Sequence, residues 1–138
     1  RADVALAAGA DGVQRTHSSL PVEALRRIVP PPFLIGASAH SEDEARQAAA
    51  EGADFVVFGP VYDTPSKRPY GRPQGLAALG QVVMAVDGPV IAIGGITPER
   101  VREVLAAGAV GVAVISSILG AERPADATKA FLDALGRA

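Results

Sequence analysis

The chain has no cysteine and no tryptophan, and only 4% of its 138 residues are aromatic. Without cysteine there are no disulfides, no thiolate-held metals and no thiol nucleophile. With so few rings there is little for nucleobases to stack on. Charge is scarce as well: 20% of residues are charged and the formal net charge is -2. That argues against a basic face tracking a phosphate backbone. No apolar run reaches the roughly 20 residues needed to span a bilayer. The expectation is a soluble, cytoplasmic protein with neither nucleic acid nor membrane as partner. What is abundant is apolar and small: 49% hydrophobic residues, with 15 glycines and 11 prolines. Such a chain can bury a core, and residues 1–138 read as a single α/β domain.

A phrase recurs three times, as AAGADGV at 7–13, AAEGADFVV at 49–57 and AAGAVGVAV at 106–114. Each copy follows a helical pattern and runs into an apolar stretch. Gly9, Gly52 and Gly108 fit the residue just past a helix end, where a left-handed backbone needs no Cβ. Repeated αβ turns imply repeated βα units. Five strands are predicted, near 12–16, 33–38, 54–59, 89–94 and 110–115. Their runs are continuous rather than alternating, which suits a parallel sheet covered by helices. Apolar stripes mark those helices: Ala45, Ala48 and Ala49; Leu76, Leu79 and Val83; Val101, Val104 and Leu105; Ala127, Ala130, Phe131 and Ala134. Ser41 and Glu44 read as a capping box, and Thr97-Pro98 as an N-cap followed by proline.

Such units close into a barrel or stay open as a doubly wound sheet. No G-x-G-x-x-G follows the first strand, and glycines and polar loops gather at strand C-terminal ends. A TIM (β/α)8 barrel is therefore the expected fold. A whole barrel takes roughly 200 residues or more, so the chain is expected to supply its C-terminal five strands. An incomplete barrel exposes apolar edges and invites association into a homo-oligomer.

Four places can carry chemistry. Gly94-Gly95 ends the fourth strand, and Ile115-Ser116-Ser117 ends the fifth. Two glycines alone make only a tight turn. Paired with a Ser-Ser at the next strand end, they read better as an anion cradle of backbone N–H groups. The stretch FGPVYDTPSKRPYGRPQG at 58–75 is a long loop carrying Thr64, Ser66, Lys67, Arg68 and Arg72. Hydroxyls and cations grouped this way suit a polyphosphate, although a solvated basic loop is nearly as good an account. In GASAHS, Ser38 sits at a strand C-terminal end and His40 just before a helix cap, a common place for a packing histidine. Asp63 fits a solvated turn better than a metal site. In QRTHSSLP, Gln14 and Thr16 point one way and Arg15 and His17 the other, and either pair could face a barrel mouth.

Three separated stretches, IGASAHSEDEA, FGPVYDTPSK and AIGGITPERVREVLAAGAVGVAVISSI, resemble the thiamine-phosphate synthase/TenI family, over nearly the whole chain and in the family's order. The resemblance implies a TIM barrel. It also implies a transferase of thiamine biosynthesis that joins hydroxymethylpyrimidine diphosphate to a thiazole phosphate and releases pyrophosphate. By motif, Ser38 and Lys67 correspond to pyrophosphate contacts, and Thr64 and Ser66 to thiazole-phosphate contacts. Gly94, Gly95, Ile115 and Ser116 correspond to the phosphate cradle. The family uses Mg2+, but its metal-binding aspartate falls here on Ser19, and no ligand set for the ion is present in this chain. A TenI-type thiazole tautomerase is the runner-up. Some of its members carry a histidine where this chain has Pro60. A non-catalytic binder of thiazole phosphate is the third reading.

Lys67 would face charge that grows on the departing diphosphate. In the intact protein, Lys67→Ala is expected to lower kcat by roughly 10²–10³-fold with both substrates saturating. A variant within about twofold of wild type in steady-state kinetics would return this loop to an ordinary solvated one.

Overall fold

The computed structural model describes residues 1–29, 31–65 and 72–136. Five strands form one sheet: β1 (Gly12–Arg15), β2 (Leu34–Ala39), β3 (Phe55–Phe58), β4 (Val90–Ile93) and β5 (Gly111–Ala113). They lie in sequence order and every neighbouring pair is parallel. Between them run α1 (Ala2–Ala7), α2 (Val22–Ile28), α3 (Glu42–Ala50), α4 (Gly75–Ala85) and α5 (Val101–Ala106). Two more helices follow β5: α6 (Ser116–Leu119) and α7 (Pro124–Leu135). A doubly wound sheet reverses its strand order at a switch point. This one never reverses, as expected of consecutive strands of a (β/α)8 barrel.

Burial separates the two faces of the sheet. Ile35, Ala37 and Ala39 of β2, Val56 and Phe58 of β3, and Val90 and Ala92 of β4 are at most 2% exposed. They alternate with Ser38, Val57, Ile91 and Ile93, which are half-buried on the opposite face. The first set packs under the helices, and the second lines the inside of the curved sheet. The helix layer holds two apolar clusters. One gathers Ala2, Val22, Leu25 and Val29 against β2, and the larger one joins α3, α4, α5 and α7 to β3 and β4.

The predicted strands match the observed ones to within two residues at either end. The glycines of the repeated phrase have left-handed φ values of 68°, 96° and 98° at Gly9, Gly52 and Gly108. After the first two, the next amide closes back on the helix, Ala10 N–H to Ala5 O and Ala53 N–H to Ala48 O. Three local expectations change. The Ser41 hydroxyl accepts from the Glu44 amide at 3.2 Å, but the Glu44 carboxylate reaches the amide of His40 rather than that of Ser41. Thr97 is an N-cap followed by Pro98, as expected, but of the 3-10 turn Pro98–Arg100 that leads into α5, and its side chain makes no cap bond. Ile115-Ser116-Ser117 do not end a strand: β5 stops at Ala113, and Ile115 is the N-cap of the short α6.

The N-terminal end of the sheet is braced by Arg26 from α2. Its guanidinium donates to Phe33 O at 2.7 Å, to Gly52 O at 3.1 Å and to Asp54, which itself accepts from the Ile35 amide at 2.6 Å. One side chain thus ties α2, β2 and the α3–β3 turn together, far from the loops that follow the strands.

Leu79 is fully buried between α4 and the sheet. Leu79→Ala is expected to destabilise the intact protein by about 2–5 kcal/mol in urea denaturation. Met84, on the same helix but 83% exposed, serves as the control. Its replacement by alanine is expected to change stability by no more than about 0.5 kcal/mol.

Candidate functional site

The strand C-terminal ends form one rim, and two pockets open along it. The strand register explains which residues reach it. Ser38 lies opposite Val57, Val57 opposite Ile91, and Ile93 opposite Ala113. With a period of two along each strand, Ser38, Val57 and Ile93 all face inward near the mouth.

The smaller pocket is walled by Gly94 and Gly95 after β4 and by Ile115, Ser116 and Ser117 at the start of α6. Thr64, only 9% exposed, closes it from the loop after β3. The first amides of a helix have no partner within it, so the start of α6 presents N–H groups on this side. The Ser117 hydroxyl donates to Ile96 O at 2.7 Å, which fixes α6 to the turn after β4.

Gly94 and Gly95 have φ values of 100° and 63°, a region that L side chains rarely adopt. A Cβ on Gly94 would come within 2.6 Å of the Pro60 Cα, and one on Gly95 within 2.5 Å of the Asp63 carbonyl oxygen. The absence of side chains there is therefore required first by the chain itself. The loop after β3 lies directly on the turn, with Val61 N–H on Ile93 O at 2.9 Å and Tyr62 N–H on Gly94 O at 3.0 Å. Arg100 holds the turn from the other side. It donates to Gly95 O at 2.6 Å and stacks on Tyr62, 4.4 Å from the ring centroid. The Tyr62 hydroxyl donates to Glu103 at 2.5 Å, and burial, with the Glu103 carboxylate next, pushes the phenol up to about 12. Sequence reasoning missed this Tyr62–Arg100–Glu103 brace, because Tyr62 lies 41 positions before Glu103, on the other side of a strand.

The larger pocket is lined by Thr16, His17 and Ser18 after β1, Ser38 and His40 from β2, and Arg72 and Gln74 on the return leg of the loop. Of the pairs left open at β1, Gln14 turns inward, where its amide Nε2 donates to the Ser38 Oγ at 3.0 Å. Thr16 and His17 both reach the mouth. Arg15 is not among the residues lining the mouth; with Gln14 it borders a third cavity, beside Ala2, Leu25 and Ile28. His40 lines both pockets. Its Nδ1 lies 2.5 Å from Gly59 O. A carbonyl only accepts, so Nδ1 carries the proton and Nε2 is left as the free nitrogen. Ser66, Lys67 and Arg68 lie outside the described residues.

Ser19 is the residue that the family resemblance sets against a metal-binding aspartate. Its hydroxyl accepts from the Thr16 amide at 3.1 Å and lies 3.0 Å from the Thr16 hydroxyl. It borders the cavity beside Arg15 rather than the mouth. Mg2+ favours carboxylate oxygens in octahedral geometry. Among the described residues no group of three or more His, Cys, Asp or Glu could hold a metal. The described residues do not form a magnesium site on their own. Among the described residues no helix is long and apolar enough to cross a membrane.

The family model for thiamine monophosphate synthase matches residues 1–118. The chain belongs to that family. It is 51% identical over its full length to the thiamine-phosphate synthase of Methanoculleus marisnigri, of which it covers 65%. It is also 51% identical to the thiamine biosynthesis bifunctional protein ThiM/ThiE of Symbiobacterium thermophilum, of which it covers 29%. Among solved structures, thiamine phosphate pyrophosphorylase from Pyrococcus furiosus superposes with a TM-score of 0.89 at 42% identity, over 99% of this chain and 65% of that one. The chain thus spans less than two thirds of the length of these family members. The 3-hexulose-6-phosphate synthase from Salmonella typhimurium has a TM-score of 0.78 at 19% identity and shares the barrel fold.

The glycine turn yields a direct test. Gly95→Val would force a β-branched residue into a left-handed backbone and drive its Cβ into the 60–63 loop. The folded variant is expected to lose thiazole-phosphate binding in calorimetry, because the smaller pocket's wall must move. Unchanged affinity would mean that this pocket does not hold the phosphate.

Proposed function

We propose that the protein is a thiamine phosphate synthase, joining hydroxymethylpyrimidine diphosphate to a thiazole phosphate with release of pyrophosphate. The observation that carries this reading is a pair of pockets sharing one wall. His40, Pro60 and Ile93 line both. A reaction that joins two phosphorylated substrates needs two adjoining anion sites with a common apolar floor between the reacting atoms. Neither pocket is lined by a carboxylate, which would repel such ligands. Family membership and the likeness to synthases support the same reading.

The chemistry asks for little acid–base work. The bond between the pyrimidine methylene carbon and the diphosphate oxygen breaks, and its electron pair leaves with the diphosphate. The resulting pyrimidine cation is then attacked by the lone pair of the thiazole nitrogen. No proton needs to be removed from the nucleophile. The site has to orient two rings and disperse charge on the leaving group. Ser38 suits the second task. Because its oxygen accepts from Gln14, its own O–H is free to donate to an anion. The smaller pocket, with Thr64, the glycine turn and the start of α6, suits the thiazole phosphate. The tautomerase reading is less well supported, since position 60 is proline and the nearby His40 is tied to Gly59 O.

The intact protein, given both substrates, is expected to release one pyrophosphate for each thiamine phosphate formed. Ser38→Ala is expected to lower kcat roughly 10–100-fold, the loss of one hydrogen bond to a charged group. A preparation that interconverts thiazole phosphate isomers without consuming the pyrimidine diphosphate would replace the synthase with the tautomerase. One that binds thiazole phosphate and turns over neither would make it a binder.

A further inference from the structure

The loop that leaves β3 returns to the mouth at a fixed point. Gln74 N–H donates to Pro60 O at 2.8 Å, and Gly75 N–H to Val61 O at 3.0 Å. These bonds set the backbone of the return leg beside the rim, and Arg72 stands two residues before the first of them. Its side chain lines the larger pocket together with Ser38 and Thr16. Arg72 is the only Lys or Arg among the described residues that line this pocket, and no Asp or Glu lines it.

Several arginines are committed to protein groups, and Arg15, whose buried Nε has no partner among the described residues, does not line this pocket. Arg26 holds Asp54 and two carbonyls, Arg46 holds Glu42, Arg100 holds Gly95 O, and Arg123 holds Asp126. Arg72 has neither hydrogen bond nor ion pair among the described residues. An exposed guanidinium without a partner among the described residues, lining a pocket with hydroxyl donors and no carboxylate, is suited to an anion. Its planar fork can span two oxygens at once, which favours a diphosphate over a lone ammonium contact.

We propose that Arg72 is a diphosphate-binding residue of the larger pocket, which it lines together with Ser38. This assignment rests on the synthase reading and deepens it. As the carbon–oxygen bond breaks, the electron pair and its charge pass to the diphosphate, and a cation held by the loop's return leg stabilises that charge. The role does not depend on the position occupied by Ser19, since guanidinium charge is permanent.

The test is calorimetric titration of the intact protein with inorganic pyrophosphate and, separately, with a thiazole phosphate. Arg72→Ala is expected to weaken pyrophosphate binding by roughly tenfold or more and to leave thiazole-phosphate binding within about twofold. Arg72→Lys, which keeps the charge but not the fork, is expected to fall between wild type and Arg72→Ala. Wild-type protein that binds pyrophosphate, with Arg72→Ala binding it equally tightly, would overturn the assignment and leave the synthase reading standing. Equal weakening of both ligands would also overturn it, as a general disturbance of the loop. Wild-type protein that takes up no pyrophosphate at all would overturn both.

Discussion

The site depends on one close approach, that of the loop after β3 to the glycine turn after β4. Pro60, Tyr62 and Asp63 occupy the space where side chains at Gly94 and Gly95 would stand. Because nothing intervenes, the loop extends the sheet by two backbone hydrogen bonds at the mouth. That contact brings Thr64 over the smaller pocket, and it seats Pro60 as part of the wall that both pockets share. A single added methyl at either glycine would push the loop outward and separate the two halves of the site. The glycines serve a ligand only through this first, intramolecular duty.

Around that contact the molecule divides its work between the two ends of the sheet. At the N-terminal end, Arg26 collects carbonyls and a carboxylate from three successive segments, and this is bonding that stabilises. At the C-terminal end, the polar groups are left with capacity to spare. Ser38 accepts one bond and keeps its proton. His40 uses Nδ1 on Gly59 O and keeps Nε2. Arg72 has no partner among the described residues. Satisfied groups hold a fold, whereas groups with unused donors and acceptors are what a ligand can engage. The division follows the general habit of (β/α)8 barrels, in which chemistry sits on the loops after the strands.

The second consequence concerns charge. The proposed reaction, which expels pyrophosphate, would bring several negative charges to the mouth. The described lining offers hydroxyls, amides, two imidazoles and one guanidinium, and no carboxylate. Ser19, which the family resemblance sets against a metal-binding aspartate, is engaged with Thr16. Among the described residues that line the larger pocket, the one fixed positive charge is Arg72, on the loop's return leg. Position 72 therefore acquires a weight that composition alone would not assign to one of several loop cations.

Much of this was legible before any coordinates. The thrice-repeated glycine phrase dictated αβ turns, because a left-handed residue past a helix end calls for glycine, and the continuous apolar runs dictated a parallel sheet. Both are local properties, set by backbone sterics and residue spacing. Family motifs likewise marked Ser38, Thr64, the glycine pair and Ile115-Ser116 as candidates. The sequence could not decide which of Gln14 and Arg15 faces the mouth, since a period of two leaves the phase open until neighbouring strands and helices fill one side. It could not show that the glycine pair is crowded by the chain's own loop, nor that Tyr62, Arg100 and Glu103 meet. Ile115-Ser116-Ser117 read as a strand end, yet they begin a short helix, because hydrogen bonds after Ala113 turn inward on themselves once no neighbouring strand continues beside them. Those outcomes belong to tertiary packing. They arise where segments distant in sequence compete for the same space, and residue spacing along one chain does not record which of them wins.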